Sequence, residues 1–137
     1  APLFTSDSAD SVTARLDRLV HAGWSGKTAI INLPTEITNN QATWTGVSAF
    51  ASQHRLPLVG GAPWQVNQGA LFTYTGNHLE ACRMAAGMAD KILRGTPAGM
   101  IPVITAEPEL RLNARVAREL GLTLNDSVAK LAREVIR

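Results

Sequence analysis

Cysteine is almost missing from this chain: a single residue, Cys82, stands among 137. One cysteine excludes an internal disulfide and a four-cysteine zinc site. Its small apolar neighbours recur at helical spacing, which predicts a packed core thiol. Long apolar runs are missing too; none approaches the roughly 20 residues that span a bilayer. No signal-peptide pattern opens the chain, which begins at Ala1. That start is expected of a mature form, a cloned piece or a fragment of something longer. Blocks of like charge are also missing. The formal net charge is +2, and the Lys and Arg residues, most of them from Arg83 onward, are interleaved with acids. Nothing here would track a phosphate backbone, so nucleic acid is not an expected partner.

The common catalytic signatures are missing as well. There is no Gly-x-Ser-x-Gly elbow, no His-Glu-x-x-His helix, no Walker loop and no Gly-x-Gly-x-x-Gly fingerprint. His21 falls at a helix end, His54 just before a strand and His78 at a helix start, so they are read as three separate surface positions and not as a metal site. Glu107 and Glu109 are the one close carboxylate pair. They flank Pro108 in an expected loop, where solvation explains them better than acid–base work. No nucleophile, base and orienting group can be placed together. The chain is read as a non-enzyme with neither metal nor cofactor.

What is present is an ordinary globular composition, 45% hydrophobic and 18% charged, enough to build a core in one domain. The apolar run Pro2–Thr5 reads as a short strand. Val12, Leu16, Leu19 and Val20 give a helix that stops at Ala22-Gly23. Residues 28–33 form an apolar strand ended by Pro34. A helix over 39–53 follows, capped by Asn39 or Asn40 and carrying Trp44 in the core. Residues 56–59 and 69–74 are further strands, closed by Gly60-Gly61 and Gly76. Continuous apolar strands alternating with helices predict an α/β fold of three layers, α/β/α, around a parallel sheet with right-handed crossovers and flavodoxin-like order. Beyond it the pattern predicts a long helix over 78–93 capped by Asn77 and stopped by Gly95, a short strand at Ile101–Ile104, and another at Leu110–Asn113. A helix then runs over 114–120, and a last helix opens at Asn125-Asp126-Ser127 with Val128, Leu131, Ala132, Val135 and Ile136 on one face. The expected organisation is a core over residues 1–76, and a segment over 77–137 that completes it or swaps into another copy, within one domain overall.

In open parallel sheets, ligands bind outside the carboxyl ends of the strands. Three loops qualify: Pro34-Thr35-Glu36, the run from Gly60 and Gly61 to Trp64, and Thr75-Gly76-Asn77. They offer hydroxyls, one carboxylate, one indole and glycines that allow close backbone approach. The candidate ligand-binding residues are therefore Pro34, Thr35, Glu36, Gly60, Gly61, Trp64 and Thr75. Each also has a purely structural reading, as turn, packing or cap.

The order of these segments resembles the ABC transporter substrate-binding proteins of the type I periplasmic-binding fold. Ile30-Ile31-Asn32-Leu33-Pro34-Thr35 is similar to that family's apolar strand ending in Leu/Val-Pro-Thr. Leu56-Pro57-Leu58-Val59-Gly60 is similar to its Ile-Pro-Val strand, and Gly69-Ala70-Leu71-Phe72-Thr73-Tyr74-Thr75-Gly76 to its Gly-Ala-Leu-Ala-Thr/Ser-Tyr-Gly segment. Ala89-Asp90-Lys91-Ile92-Leu93-Arg94-Gly95 with Ile101-Pro102-Val103, and the ending through Glu134-Val135-Ile136, complete the match. Two loops depart from it. Gly60-Gly61-Ala62-Pro63 stands where a Ser-Asp pair is usual, and Glu36-Ile37-Thr38 where Asp-Asn is. The resemblance implies the C-terminal portion of a solute-binding component that takes a small amino-acid-like molecule without catalysis. It also implies an ABC permease as partner and a periplasmic or extracytoplasmic location. The family's helix matching 78–93 packs on an N-terminal lobe whose sequence is not in this chain, so a homodimer through the 78–94 helix is a further expectation. The alternative reading is a ligand-sensing or dimerisation domain of a signalling protein built on the same fold.

Overall fold

The computed structural model describes residues 9–21 and 28–137. The strand read at Pro2–Thr5 and the stop at Ala22-Gly23 lie outside the described residues. The described chain divides into two compact units: one holds the residues up to Tyr74 together with Leu110–Arg137, the other Thr75–Glu109.

In the first unit, helix α1 (Ala9–His21) packs against helix α2 (Gln41–Gln53). Asn40 caps α2 through its side-chain oxygen, which accepts from Ala42 N. Trp44, Val47 and Ala51 then recur at the three-to-four-residue spacing that lines one helix face. They are buried together with Leu58, Val66 and Ala70, and Val12 and Leu16 of α1 press on this cluster from outside. Strands β1 (Ile30–Ile31), β2 (Leu58–Gly60) and β3 (Phe72–Gly76) run parallel, with Ile30 beside Leu58 and Val59 beside Phe72. Between β2 and β3 the chain makes a 3-10 helix over Pro63–Gln68, an element the strand-and-helix pattern does not signal.

Strand β4 (Pro108–Asn113) lies next to β3, and the sheet order is β1-β2-β3-β4-β5. Asn113 ends β4 and caps helix α4 (Ala114–Glu119), accepting from Val116 N, while its amide donates to Val66 O at 2.8 Å. Helix α5 (Asp126–Leu131) is shorter than the sequence predicts. Glu134–Ile136 form strand β5, parallel to β4, instead of a last helical turn. The reason is cross-strand pairing. Arg111 faces Glu134 in the register and bonds it at 2.6 Å, and the β-branched Val135 and Ile136 suit a strand. The result is a mixed α/β architecture with a mostly parallel five-stranded sheet flanked by helices.

In the second unit, helix α3 spans His78–Leu93. Asn77 caps it, accepting from Glu80 N and donating to Glu109 Oε1 at 2.7 Å. At the other end Gly95 adopts φ 96°, a left-handed conformation that glycine reaches without a Cβ clash, and Thr96 N returns to Lys91 O. The expected strand at Ile101–Ile104 is not formed. Ala98–Met100 make a 3-10 turn and the chain runs irregularly to Glu107. Pro102 has no N–H to give a ladder, and Val103 is 95% exposed, so neither pairing nor burial would hold a strand there. Cys82 is exposed and not a core thiol. Its helix has no buried residue at all, so apolar neighbours in sequence supply no cover.

Candidate functional site

Because β1, β2 and β3 are parallel, their carboxyl ends share one edge of the sheet. Two loops of the first unit meet there, and a carboxamide joins them. Gln65, fully buried in the 3-10 helix, presents Oε1 to three donors: Gly61 N at 2.7 Å, Ala62 N at 3.1 Å and Asn32 Nδ2 at 3.2 Å. Its Nε2 donates to Thr38 O at 3.3 Å. One side chain thus ties the loop after β2 to the loop after β1. A carboxamide oxygen in a dry site with three donors is a well-satisfied acceptor, and the network fixes the backbone around it.

The loop after β1 closes on itself. Thr35 N donates to Thr38 Oγ1 at 3.0 Å, Thr38 N to Thr35 Oγ1 at 3.2 Å, and Asn39 N to Thr35 O at 2.8 Å. Trp64 extends the link between the loops. Its Nε1 donates to Asn39 Oδ1 at 3.3 Å, and its ring meets Trp44 edge-on with centroids 5.9 Å apart. That arrangement is favourable for aromatic pairs.

Gly60 and Gly61 are needed for this packing. A Cβ on Gly61 would lie 2.9 Å from Asn32 O and 3.0 Å from Pro34 N, and one on Gly60 would lie 2.8 Å from Thr73 Cγ2. Any larger residue would force the rim apart. Their backbone approach serves the loop-to-loop contact first, and Gly61 N–H is already committed to Gln65.

Of the residues read from sequence, the first unit brings Pro34, Thr35, Glu36, Gly60, Gly61 and Trp64 to this rim. Pro34, Thr35 and Glu36 are exposed, Trp64 is half-buried and Gly60 is buried. Thr75 continues β3 past Tyr74 and belongs to the second unit. Glu36 is the sole ionisable side chain from Asn32 to Asn39 and from Gly60 to Gln68. Among the described residues no three His, Cys, Asp or Glu side chains gather as metal ligands, and none of the described helices is long and apolar enough to cross a membrane.

Sequence reasoning missed Gln65, Asn32 and Thr38, the residues that build the rim. One signal was available. Pro63 near a helix start with Gln two residues later reads as a capping arrangement, and the Gln65 side chain does reach back, its Oε1 accepting from Ala62 N at 3.1 Å. The first unit also carries a groove of about 660 Å³ lined by α2, the turn at Asn67–Gly69 and α4, including Ser52, Arg55 and Arg115. Leu56 and Gly69, which line it, precede β2 and β3, so it opens at the amino ends of those strands, away from the rim.

Comparison with known proteins gives this geometry a context. The family model described as ABC transporter substrate binding protein matches residues 18–136. No curated protein sequence matches. Three solved structures share the fold. A conserved domain protein from Vibrio cholerae superposes with TM-score 0.72 at 20% identity, over 96% of this chain and 43% of its own. An ABC domain in complex with L-Trp from Streptococcus pneumoniae gives 0.72 at 22% identity, over 97% and 44%. A ligand-free, open substrate-binding protein with adhesive properties from Clostridium difficile gives 0.66 at 20% identity, over 96% and 42%. The chain spans less than half the length of each.

Proposed function

Since the chain belongs to the ABC transporter substrate-binding protein family, we propose that it supplies one wall of a solute site, at the rim joined by Gln65. The observation that carries this reading is the rim itself. Two loops at the carboxyl ends of parallel strands are locked together by one saturated carboxamide, so Thr35, Glu36 and the partly open Trp64 are held in a fixed relation. A binding surface needs that order before a ligand arrives, because ordering it afterwards weakens affinity. The ligand class is a small amino-acid-like molecule. Glu36 offers a carboxylate to an ammonium group, the Trp64 ring an apolar face, and the similar fold from Streptococcus pneumoniae was solved with L-Trp.

No bond is made or broken in this role. The proposed setting is periplasmic or extracytoplasmic. The proposed partners are the solute, an ABC permease and a second copy of the chain at α3. With one wall present, binding is expected in the millimolar range, since enclosed sites bury most of a ligand and this rim does not. Saturation-transfer NMR with a panel of L-amino acids, L-Trp included, tests the reading. Transfer from at least one amino acid, lost in Glu36→Gln or Trp64→Ala, supports it. Silence across the panel at millimolar solute removes it.

A further inference from the structure

The groove at the amino ends of β2 and β3 is edged by a residue that the fold does not call for. Helices α2, α3 and α4 all end in the same turn. A residue with positive φ is followed by one whose N–H returns across five residues: Leu56 N to Ala51 O at 2.8 Å, Thr96 N to Lys91 O at 3.0 Å and Leu122 N to Ala117 O at 2.8 Å. Gly95 and Gly121 hold this turn after α3 and α4. After α2 it is Arg55, at φ 51°, the one non-glycine residue with positive φ among the described residues. A Cβ is unfavourable in that conformation and glycine is the usual choice. The turn gains nothing from an arginine, so the long side chain is what sets this position apart.

That side chain lines the groove, and Arg115 of α4 supplies a second guanidinium. Ser52 and Asn67 line it as well, and among the described residues the side chains of Arg55, Ser52 and Asn67 have no hydrogen-bond or ionic partner. Arg115 has an exposed pair with Glu119 at 3.5 Å, which is worth little. Leu56, Val116 and Leu120, all half-buried, give the lining an apolar part. A volume of about 660 Å³ suits a small organic molecule and far exceeds a bare oxyanion.

We propose that this groove binds a small phosphate monoester, its apolar body on Leu56, Val116 and Leu120 and its phosphate held by Arg55 and Arg115. The charge count selects the head. Two guanidiniums face one carboxylate, and a phosphate carries close to two negative charges at neutral pH. Arginine forks match its oxygens in pairs, and the free hydroxyl of Ser52 and amide of Asn67 add donors. A protein cover over the groove would have to desolvate both guanidiniums, whereas a phosphate brings the charge that satisfies them. Every lining residue belongs to the first unit, and the proposal does not depend on solute binding at the rim.

Titration of phenyl phosphate into the isotope-labelled 137-residue chain, followed by amide NMR, is the experiment. The expected result is saturable shifts at Arg55, Gly69 and Val116 at millimolar ligand, with Gly61 and Ala62 unmoved. Phenol keeps the ring and lacks the charge, and should bind about tenfold more weakly or not at all. Arg55→Gly is the sharpest variant, because glycine suits the turn. It should unfold at the same or a higher denaturant concentration than the parent and yet bind phenyl phosphate about tenfold more weakly. Arg115→Gln should weaken binding in the same way. An absence of shifts at the groove amides overturns the proposal. So does phenol binding as tightly as phenyl phosphate, or an Arg55→Gly protein that binds as the parent does. Amino-acid binding by the Arg55→Gly protein reports separately on the rim, so each reading fails on its own evidence.

Discussion

The two units hold secondary structure in opposite ways. The first has a core of Trp44, Val47, Ala51, Leu58, Val66 and Ala70, and its loops are tied by bonds between residues far apart in sequence, such as Asn32 to Gln65 and Asn113 to Val66. The second has one well-made helix, with an Asn77 cap, a left-handed Gly95 stop and many alanines, and no buried residue along it. Local signals are enough to begin and end α3, because caps and propensity act within a turn. They are not enough to hide an apolar face. Long-range bonds hold the loops of the first unit in shape, and the helix of the second stands on local ones.

The strongest way to break this contrast is a leucine truncation in the core. Leu58 is 1% exposed at the start of β2, paired with Ile30 in the register and packed in the main cluster. Leu58→Ala should destabilise the protein by about 2–5 kcal/mol, the lost transfer energy plus the cavity left behind. Denaturant unfolding measures it. A loss below about 1 kcal/mol would mean that the first unit is no better packed than the second.

Gln65→Leu comes next. It keeps the volume and removes the acceptor, leaving Gly61 N, Ala62 N and Asn32 Nδ2 without their partner. Buried donors left unmade cost about 1–3 kcal/mol each when water does not reach them. A loss of about 2–4 kcal/mol is expected, together with loss of amino-acid transfer signals at the rim. A variant that unfolds at the same denaturant concentration as the parent would show that the loops hold without the carboxamide.

How far the sequence reached follows the same division. Side-chain caps act locally and were legible. Asn77, Asn113 and Asn125 cap the helices where the pattern places them, Asn40 settles the choice at α2, and Gly121, with φ 72°, ends α4's turn as read. Parallel order was legible because apolar strands alternated with helices. Gln65 was not, because a glutamine in a Gly- and Pro-rich stretch looks like any solvated loop residue until the 3-10 helix turns it inward. Strand β5 was not, because Val128, Leu131, Ala132, Val135 and Ile136 fit a helical stripe and only pairing with β4 decides otherwise. Cys82 was misjudged for a third reason. Whether an apolar helix face is core depends on what lies against it, which is no property of the helix.

A smaller effect sharpens the account of the rim. Thr73 is fully buried on β3 beside Gly60, and its Oγ1 has no hydrogen-bond partner among the described residues. A hydroxyl desolvated without a partner is a cost that its near-isostere avoids. Thr73→Val should therefore raise stability by about 1 kcal/mol, seen as a higher denaturant midpoint with an unchanged slope. A fall in stability would mean that the hydroxyl is bonded in solution, and an ordered water held next to Gly60 would be the first place to look.

The least effect is expected from the substitution that repeats the first one in the other unit. Leu93 is 87% exposed at the end of α3, so Leu93→Ala removes little buried area, and alanine is the better helix former. Stability at protein concentrations too low for association should change by less than about 0.5 kcal/mol. The same side-chain change as Leu58→Ala then costs several kcal/mol in one unit and almost nothing in the other. Raising the protein concentration turns the comparison into a test of the second copy proposed at α3. The parent should gain thermal stability with concentration, because a dimer that forms only from folded chains draws the equilibrium toward them, and Leu93→Ala should gain less. If both gain equally, or neither gains, Leu93 takes no part in association and the second copy proposed at α3 loses its support.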